Sequence, residues 1–469
     1  MNFVVDKLKL TANIAKGIFL YNIYGPPCKS WNLKTWLAVY LVREIFGNLG
    51  SLPVSRARIK INFTTQVKNS KTELVTIQDK FRQRAHELVK EHLKEVYGDD
   101  EWYGPESHWS KSHPLESEWV IPNHLTRSSN SNVILYIHGG AYILGHFSTY
   151  RSELETLAQN TDSIVLGTHY RLASEYSAPC QLEDALAHVL YLTSPVEDSG
   201  IGLSFDQIIV SGDSAGGGLS SILNHFMRDA KIGKLAGSLL YSPWVDLTTG
   251  QPSCTECTDT DTLSQIEHTS YDLDEKGEII PGLFNTIYQA SNLEFQNKMI
   301  ERGHFLAPKK YVNSPLISPL CDTNFKDLPP TLIITGQVEA VRDESILYQE
   351  LINNSYSDEE LSNFEIPPTT LHLYEEMFHD FPFLALDLPS SQMSIKRAIN
   401  FIKQCFAQNT PDFANIQEDN PINIKIEERD AESSMPKQWK NLYLSTISDQ
   451  SLVKLSPCYK RNSIQTWIK

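Results

Sequence analysis

Three kinds of side chain in this sequence could together attack a carbonyl carbon: a hydroxyl, an imidazole and a carboxylate. The hydroxyl is Ser214, in "VSGDSAGGGL" (210–219), after the apolar run "IIVSG" and before "AGGGLSSILNHFMRDA". A serine alone is a poor nucleophile at neutral pH and needs a base beside it. Gly-x-Ser-x-Gly between a strand and a helix is the sequence form of a strained turn that lifts the hydroxyl clear of the sheet. Gly212 and Gly216 supply the small flanks, and Ala215 leaves the next backbone N–H unobstructed. The chemistry implied is acyl transfer, which also needs N–H groups aimed at the negative charge that develops on oxygen. "YIHGGAY" (136–142) follows another apolar run and offers them. Gly139 and Gly140 join Ala215 as the candidate oxyanion donors, and His138 reads as a residue that orders this loop.

The sequence contains 14 histidines. In the chain order serine, acid, histidine, the base falls in a loop after a late strand. His379, in "LHLYEEMFHDFPF", lies just past the run "TTLHLY"; His372 lies inside that run and reads as structural. The acid should follow the run "PTLIITG", and "GQVEAVRDES" offers Glu339, Asp343 and Glu344. Glu339 comes soonest after the strand and is the preferred acid. Asp343 is the alternative, and capping of a helix N-terminus would explain it without chemistry. No cofactor is required by this set. "CTEC" (254–257) is a lone pair of cysteines, and a tetrahedral zinc site needs four ligands, so no metal is expected.

These side chains need a scaffold that brings distant loops together. Six short β-branched runs supply it: "NVILYI" (132–137), "SIVLGT" (163–168), "QIIVS" (207–211), "GSLLYS" (237–242), "PTLIITG" (330–336) and "TTLHLY" (369–374). Amphipathic segments such as "EDALAHVLYLTS", "ESILYQELINN" and "SIKRAINFIKQCFA" lie between and after them. That alternation predicts an α/β fold, a mainly parallel central sheet with helices on both faces. It breaks at about 250–313, and an insertion there would stand above the carboxyl ends of the strands as a helical cap. Residues 1–100 read as a mainly helical region contributing to the cap, 101–408 as the core, and 409–469 as a polar, disordered tail.

The 469 residues are 41% hydrophobic and 21% charged, enough for a sizeable core. A formal charge of −16 argues against a nucleic-acid partner. Seven scattered cysteines, an odd number, are not a disulfide framework and fit an intracellular setting. No run approaches the roughly 20 apolar residues that span a bilayer, and no secretory signal is apparent. Near the N-terminus, Phe3, Leu10, Ile14, Ile18 and Tyr21 share one helical face opposite Lys9 and Lys16, with Lys7 interrupting it. Packing on the protein's own core is the first reading of that helix; peripheral attachment to a membrane surface is the second. Nothing in the sequence speaks to oligomeric state.

"HGGAY" and "GDSAGGGL" together resemble the two signature blocks of the hormone-sensitive-lipase-like (GDXG) branch of the α/β-hydrolases. Further strings extend the resemblance over about 130–400. "YRLASEYSAPCQLEDAL" is similar to the family's YRLAPE…P…D segment, with Ser174 in place of proline. "LLYSPWVDL" and "NSPLISPL" resemble the flanks of its cap. Glu339 stands where most members have aspartate, and Asp380 replaces the glycine of M-x-H-G-F. The resemblance implies an α/β-hydrolase fold with a helical cap, hydrolysis of a small apolar ester, and no cofactor. "YGPPCKSWNLKTWLAVYLVREI" and "ESEWVIP" are more narrowly similar to fungal members, including steryl acetyl hydrolases of the endoplasmic reticulum. That implies a steryl acetate as one substrate and the reticulum surface as a location. Two alternatives use the same residues or fold: an amidase or arylformamidase, and a non-catalytic ligand receptor.

Overall fold

Alternating burial along each β-branched run decides the architecture. In the strand β3 (Val133–Ile137), Val133, Leu135 and Ile137 face one core, while Ile134 and Tyr136 face another. In β5 (Ile208–Asp213), Ile208 and Val210 join the first core and Ile209 the second. A sheet that is apolar on both faces must be covered on both. The protein is described here from a computed structural model covering residues 2–49, 54–98, 102, 114–173, 175–263, 304–385 and 388–407.

Among the described residues the chain forms one eight-stranded sheet. Its other strands are β1 (Ser70–Ile77), β2 (Leu115–Pro122), β4 (Ile164–Thr168), β6 (Gly237–Tyr241), β7 (Thr331–Gly336) and β8 (Thr369–Tyr374). The order is β1-β2-β4-β3-β5-β6-β7-β8. β1 and β2 run antiparallel to their neighbours; all pairings from β4 to β8 are parallel. All six expected runs are strands, and β1 and β2 are additions. β1 thus interrupts a region read as mainly helical.

Helices α1 (Asn2–Tyr24), α2 (Leu33–Leu49) and α3 (Val54–Ile61) precede β1, and α4 (Asp79–Tyr97) follows it. α5 (Arg151–Thr161), α6 (Cys180–Thr193) and α7 (Ser214–Asp229) alternate with the parallel strands. Residues of α4, α6 and α7 share the first core. Those of α5 share the second with the closing helix Pro389–Ala407.

α1 departs from its first reading. Gly17 packs against Leu37 and Tyr40 of α2, and the indole of Trp36 donates to Gly17 O at 3.0 Å. Leu10, Ile18, Phe19, Ile23 and Tyr24 remain exposed. The helix therefore packs on α2 and leaves apolar side chains in solvent. The side chains of Phe3, Lys7 and Lys9 lie outside the described residues, as do most of the expected cap, 264–303, and the tail from 409. No described helix is long and apolar enough to cross a membrane.

Candidate active site

β5 delivers Ser214 to the carboxyl edge of the sheet, and α7 begins on it. Ser214 has φ +52°, a left-handed conformation that a non-glycine residue holds only when its surroundings compel it. The compulsion is visible at Gly216, where an added Cβ would lie 2.0 Å from Ile137 O. No larger residue lets α7 sit this close to β3 and the loop after it. Ser214 O accepts the N–H of Trp244 at 2.9 Å, which locks the turn from the β6 side. Only 8% of Ser214 is exposed.

The loop after β3 contains Gly140 at φ +108° and Ala141 at φ +55°. A third glycine would relieve the second of these; the alanine pays a modest conformational cost instead. His138 is fully buried, stacks on Tyr170 at 4.6 Å and bonds Gly139 O through Nδ1 at 2.7 Å. Burial lowers its pKa to about 3, so it orders the loop as a neutral ring.

Gly139 is a correction. Its N–H donates to Asp213 Oδ1 at 2.9 Å, so it is not free to receive an oxyanion. Tyr136 donates to the same oxygen at 2.6 Å, and Tyr150 donates to Oδ2 at 2.8 Å. Asp213, buried behind Ser214, thus anchors this loop to the turn between β5 and α7. The N–H groups of Gly140 and Ala141 have no acceptor among the described residues. That of Ala215, in the first turn of α7, has none within its helix.

His379 lies in the loop after β8 and is buried. Its N–H donates to Asp261 Oδ1 at 2.9 Å, while Asp261 Oδ2 accepts Ala340 N–H at 2.7 Å. One buried carboxylate thus joins the loop of His379 to the loop of Glu339. Two backbone bonds add to this: Gln337 N–H to Tyr374 O at 2.9 Å and Val338 N–H to Met377 O at 3.0 Å. Asp261 lies within a polar stretch, "CTDTDT" (257–262), that carries no recognisable signal.

Glu339 is fully buried. Its Oε2 accepts the Ser242 hydroxyl at 2.8 Å and its Oε1 the Thr335 hydroxyl. Burial raises its carboxyl pKa, the His379 imidazole draws it down, and Asp261 adds to the rise. Burial alone would lower the His379 pKa, but Asp380, then Glu339 and Asp261, raise it. Asp343 is occupied elsewhere: Oδ2 accepts Ser253 N–H at 2.8 Å and Oδ1 pairs with Arg342 at 2.8 Å. It does not cap its helix, Arg342–Asn353, whose N-cap is Val341. Glu344 is buried against Asp246. His372 pairs in register with Ile334, within the sheet.

The N-terminal region holds both loops from outside. Arg58 of α3 donates to Ile143 O at 2.8 Å and Ala173 O at 3.0 Å, and pairs with Glu175. Glu376, three residues before His379, accepts Lys29 N–H at 3.2 Å and Ser30 N–H at 2.6 Å. The Trp31 indole donates to Glu376 O at 2.6 Å and its ring meets Phe378 edge-on at 5.5 Å. Arg171 is buried between Glu183 and Asp184, at 2.8 and 2.9 Å, which fixes the segment after β4. Among the described residues no group of three His, Cys, Asp or Glu side chains could hold a metal ion.

Comparison with known proteins agrees with this architecture. The sequence profile of a family described as alpha/beta hydrolase fold matches residues 134–273 and 285–383. Carboxylesterase NlhH of Mycobacterium tuberculosis is 26% identical over 271 residues, covering 58% of this chain and 75% of that protein. An acetyl-hydrolase of Streptomyces hygroscopicus is 27% identical, covering 61% and 79%. Among solved structures, an esterase from the bacterial hormone-sensitive lipase family superposes with a TM-score of 0.52 at 19% identity. That match covers 79% of this chain and 98% of the other.

Proposed function

The chain belongs to the hormone-sensitive-lipase-like α/β-hydrolases, and from that premise we propose that this ester hydrolase works through Ser214, His379 and Glu339. The observation that carries the reading is the strained turn: Ser214 at φ +52° between β5 and α7, beside unpaired N–H groups of the β3 loop. The Ser214 hydroxyl attacks the ester carbonyl while His379 Nε2 takes its proton. The oxyanion is received by Ala215 with Gly140 and Ala141; losing one such donor typically costs ~10²–10³ in turnover. His379 returns the proton to the departing alcohol. Glu339, a buried carboxylate, favours the charged form of the imidazole. Water, activated by the same base, then releases the acid from Ser214.

The substrate is a small apolar ester, and a steryl acetate is the specific proposal, supported by the sequence resemblance to fungal members. The exposed apolar side chains of α1 support attachment to a membrane surface, where such a substrate resides.

Ser214→Ala should abolish hydrolysis of p-nitrophenyl acetate and of an acetylated sterol, and should block labelling by a serine-directed phosphonate. Labelling that survives the substitution would overturn the assignment. Turnover of an N-acetyl arylamine in preference to the matched ester would move the reading to an amidase.

A further inference from the structure

The loop carrying the base contains an acidic residue that the mechanism above does not use. Asp380 follows His379 directly and has φ +55°, the left-handed region that favours glycine. Its Oδ2 lies 3.2 Å from His379 Nε2, the nitrogen that must serve Ser214. Its Oδ1 is buried without a hydrogen-bond partner, and its N–H donates to the Ser242 hydroxyl at 3.2 Å. His379 Nδ1 is also without a partner. The imidazole therefore makes its short polar contact with Asp380 and none with Ser214.

Building on the esterase reading, we infer that Asp380 is a positioning residue: its carboxylate latches the His379 imidazolium through Nε2, and this latch must open before the base can serve Ser214. Opening transfers the Nε2 proton to water and leaves the nitrogen lone pair free. The ring then takes the Ser214 proton during attack, and the imidazolium so formed again has Asp380 within reach. The cost is a higher pH for onset of activity; the return is a stabilised imidazolium when charge develops.

Other charged groups around the ring act in the same direction or are neutralised. Glu339 and Asp261, from the acid loop and the segment after β6, both favour the charged ring. Asp213, on β5, is the carboxylate that Asp380 repels; burial and then Asp380 raise its pKa, while the Tyr136 and Tyr150 hydroxyls hold it down. Arg342, on the helix after Glu339, is paired with Asp343 and Glu256. Glu376 is bonded to Lys29 and Ser30.

The test is Asp380→Asn, which keeps shape and tolerates left-handed backbone, alongside Asp380→Gly. In wild type, kcat/KM should rise with pH along a limb above 6.5, the ordinary value for histidine. An opposite charge this close moves a pKa by roughly 1–3 units, so both variants should bring the limb down by about one unit or more. They should also lower the plateau at high pH, because the base is weaker. A structural role alone would lower the plateau and leave the limb in place. The second readout is the His379 titration midpoint by NMR of histidine-labelled protein, assigned from the signal missing in His379→Gln. A midpoint and limb unchanged in both variants overturn the latch. Absence of ester turnover in wild type overturns the esterase reading instead, and the NMR midpoint still decides the part of Asp380.

Discussion

Each residue of the site is constrained by a different neighbour, and the neighbours explain what substitution will do. Glu339 is buried and acts on the imidazole, whereas Asp343 is bonded to Ser253 and Arg342. Glu339→Gln should therefore lower kcat/KM by orders of magnitude while Asp343→Asn costs mainly stability; the reverse ranking, measured on p-nitrophenyl acetate with thermal melts alongside, would transfer the acid role to Asp343. The places of Ser214 between β5 and α7, of Glu339 after β7 and of His379 after β8 were legible because the context of a turn after a strand is local. The fate of the Gly139 N–H was not. Asp213 takes it, and a hydrogen bond across 74 positions leaves no trace in spacing. Asp261 was equally silent, since its role consists of backbone N–H groups that any residue supplies.

At the level of elements, the parallel strands were readable and the two antiparallel ones were not. β3 through β8 are β-branched runs packed on both faces. β1, "SKTELVTI", is mostly polar, and its Leu74 points into solvent, so nothing in its pattern separates it from a loop or short helix. Its partner β2 is buried but carries Glu116 and Glu118, the latter neutralised by Arg151 at 2.6 Å. The loop between β8 and the base depends on an element outside the sheet, through Glu376. Glu376→Ala removes two hydrogen bonds to a carboxylate that is partly open to water, and should cost about 1 kcal/mol of stability. Its larger effect should be a several-fold fall in kcat with KM little changed, because the loop carrying His379 loses its outer anchor. Steady-state kinetics with a matched melting curve distinguish this from simple destabilisation; an unaltered kcat would show the anchor to be dispensable.

For the whole molecule, charge and apolar surface pull in different directions. The formal charge of −16 repels anionic lipid, whereas Phe19, Ile23 and Tyr24 at the end of α1 offer exposed apolar contact. Flotation with vesicles should therefore show association with neutral phosphatidylcholine that weakens as phosphatidylserine is added, and Phe19→Ser with Ile23→Ser should abolish it. Recovery of wild type wholly in the unbound fraction would remove the membrane from the account. Composition gave the sign of the charge; only the packing of α1 on α2 through Gly17 revealed which apolar residues stay outside. The bond between Ser30 and Glu376 then acquires a mechanical meaning. It spans 346 positions and couples the segment between α1 and α2 to the loop of the base. A displacement of that hairpin, whether by a lipid surface, a fused tag or a truncation, should therefore displace the loop of His379 from outside the sheet.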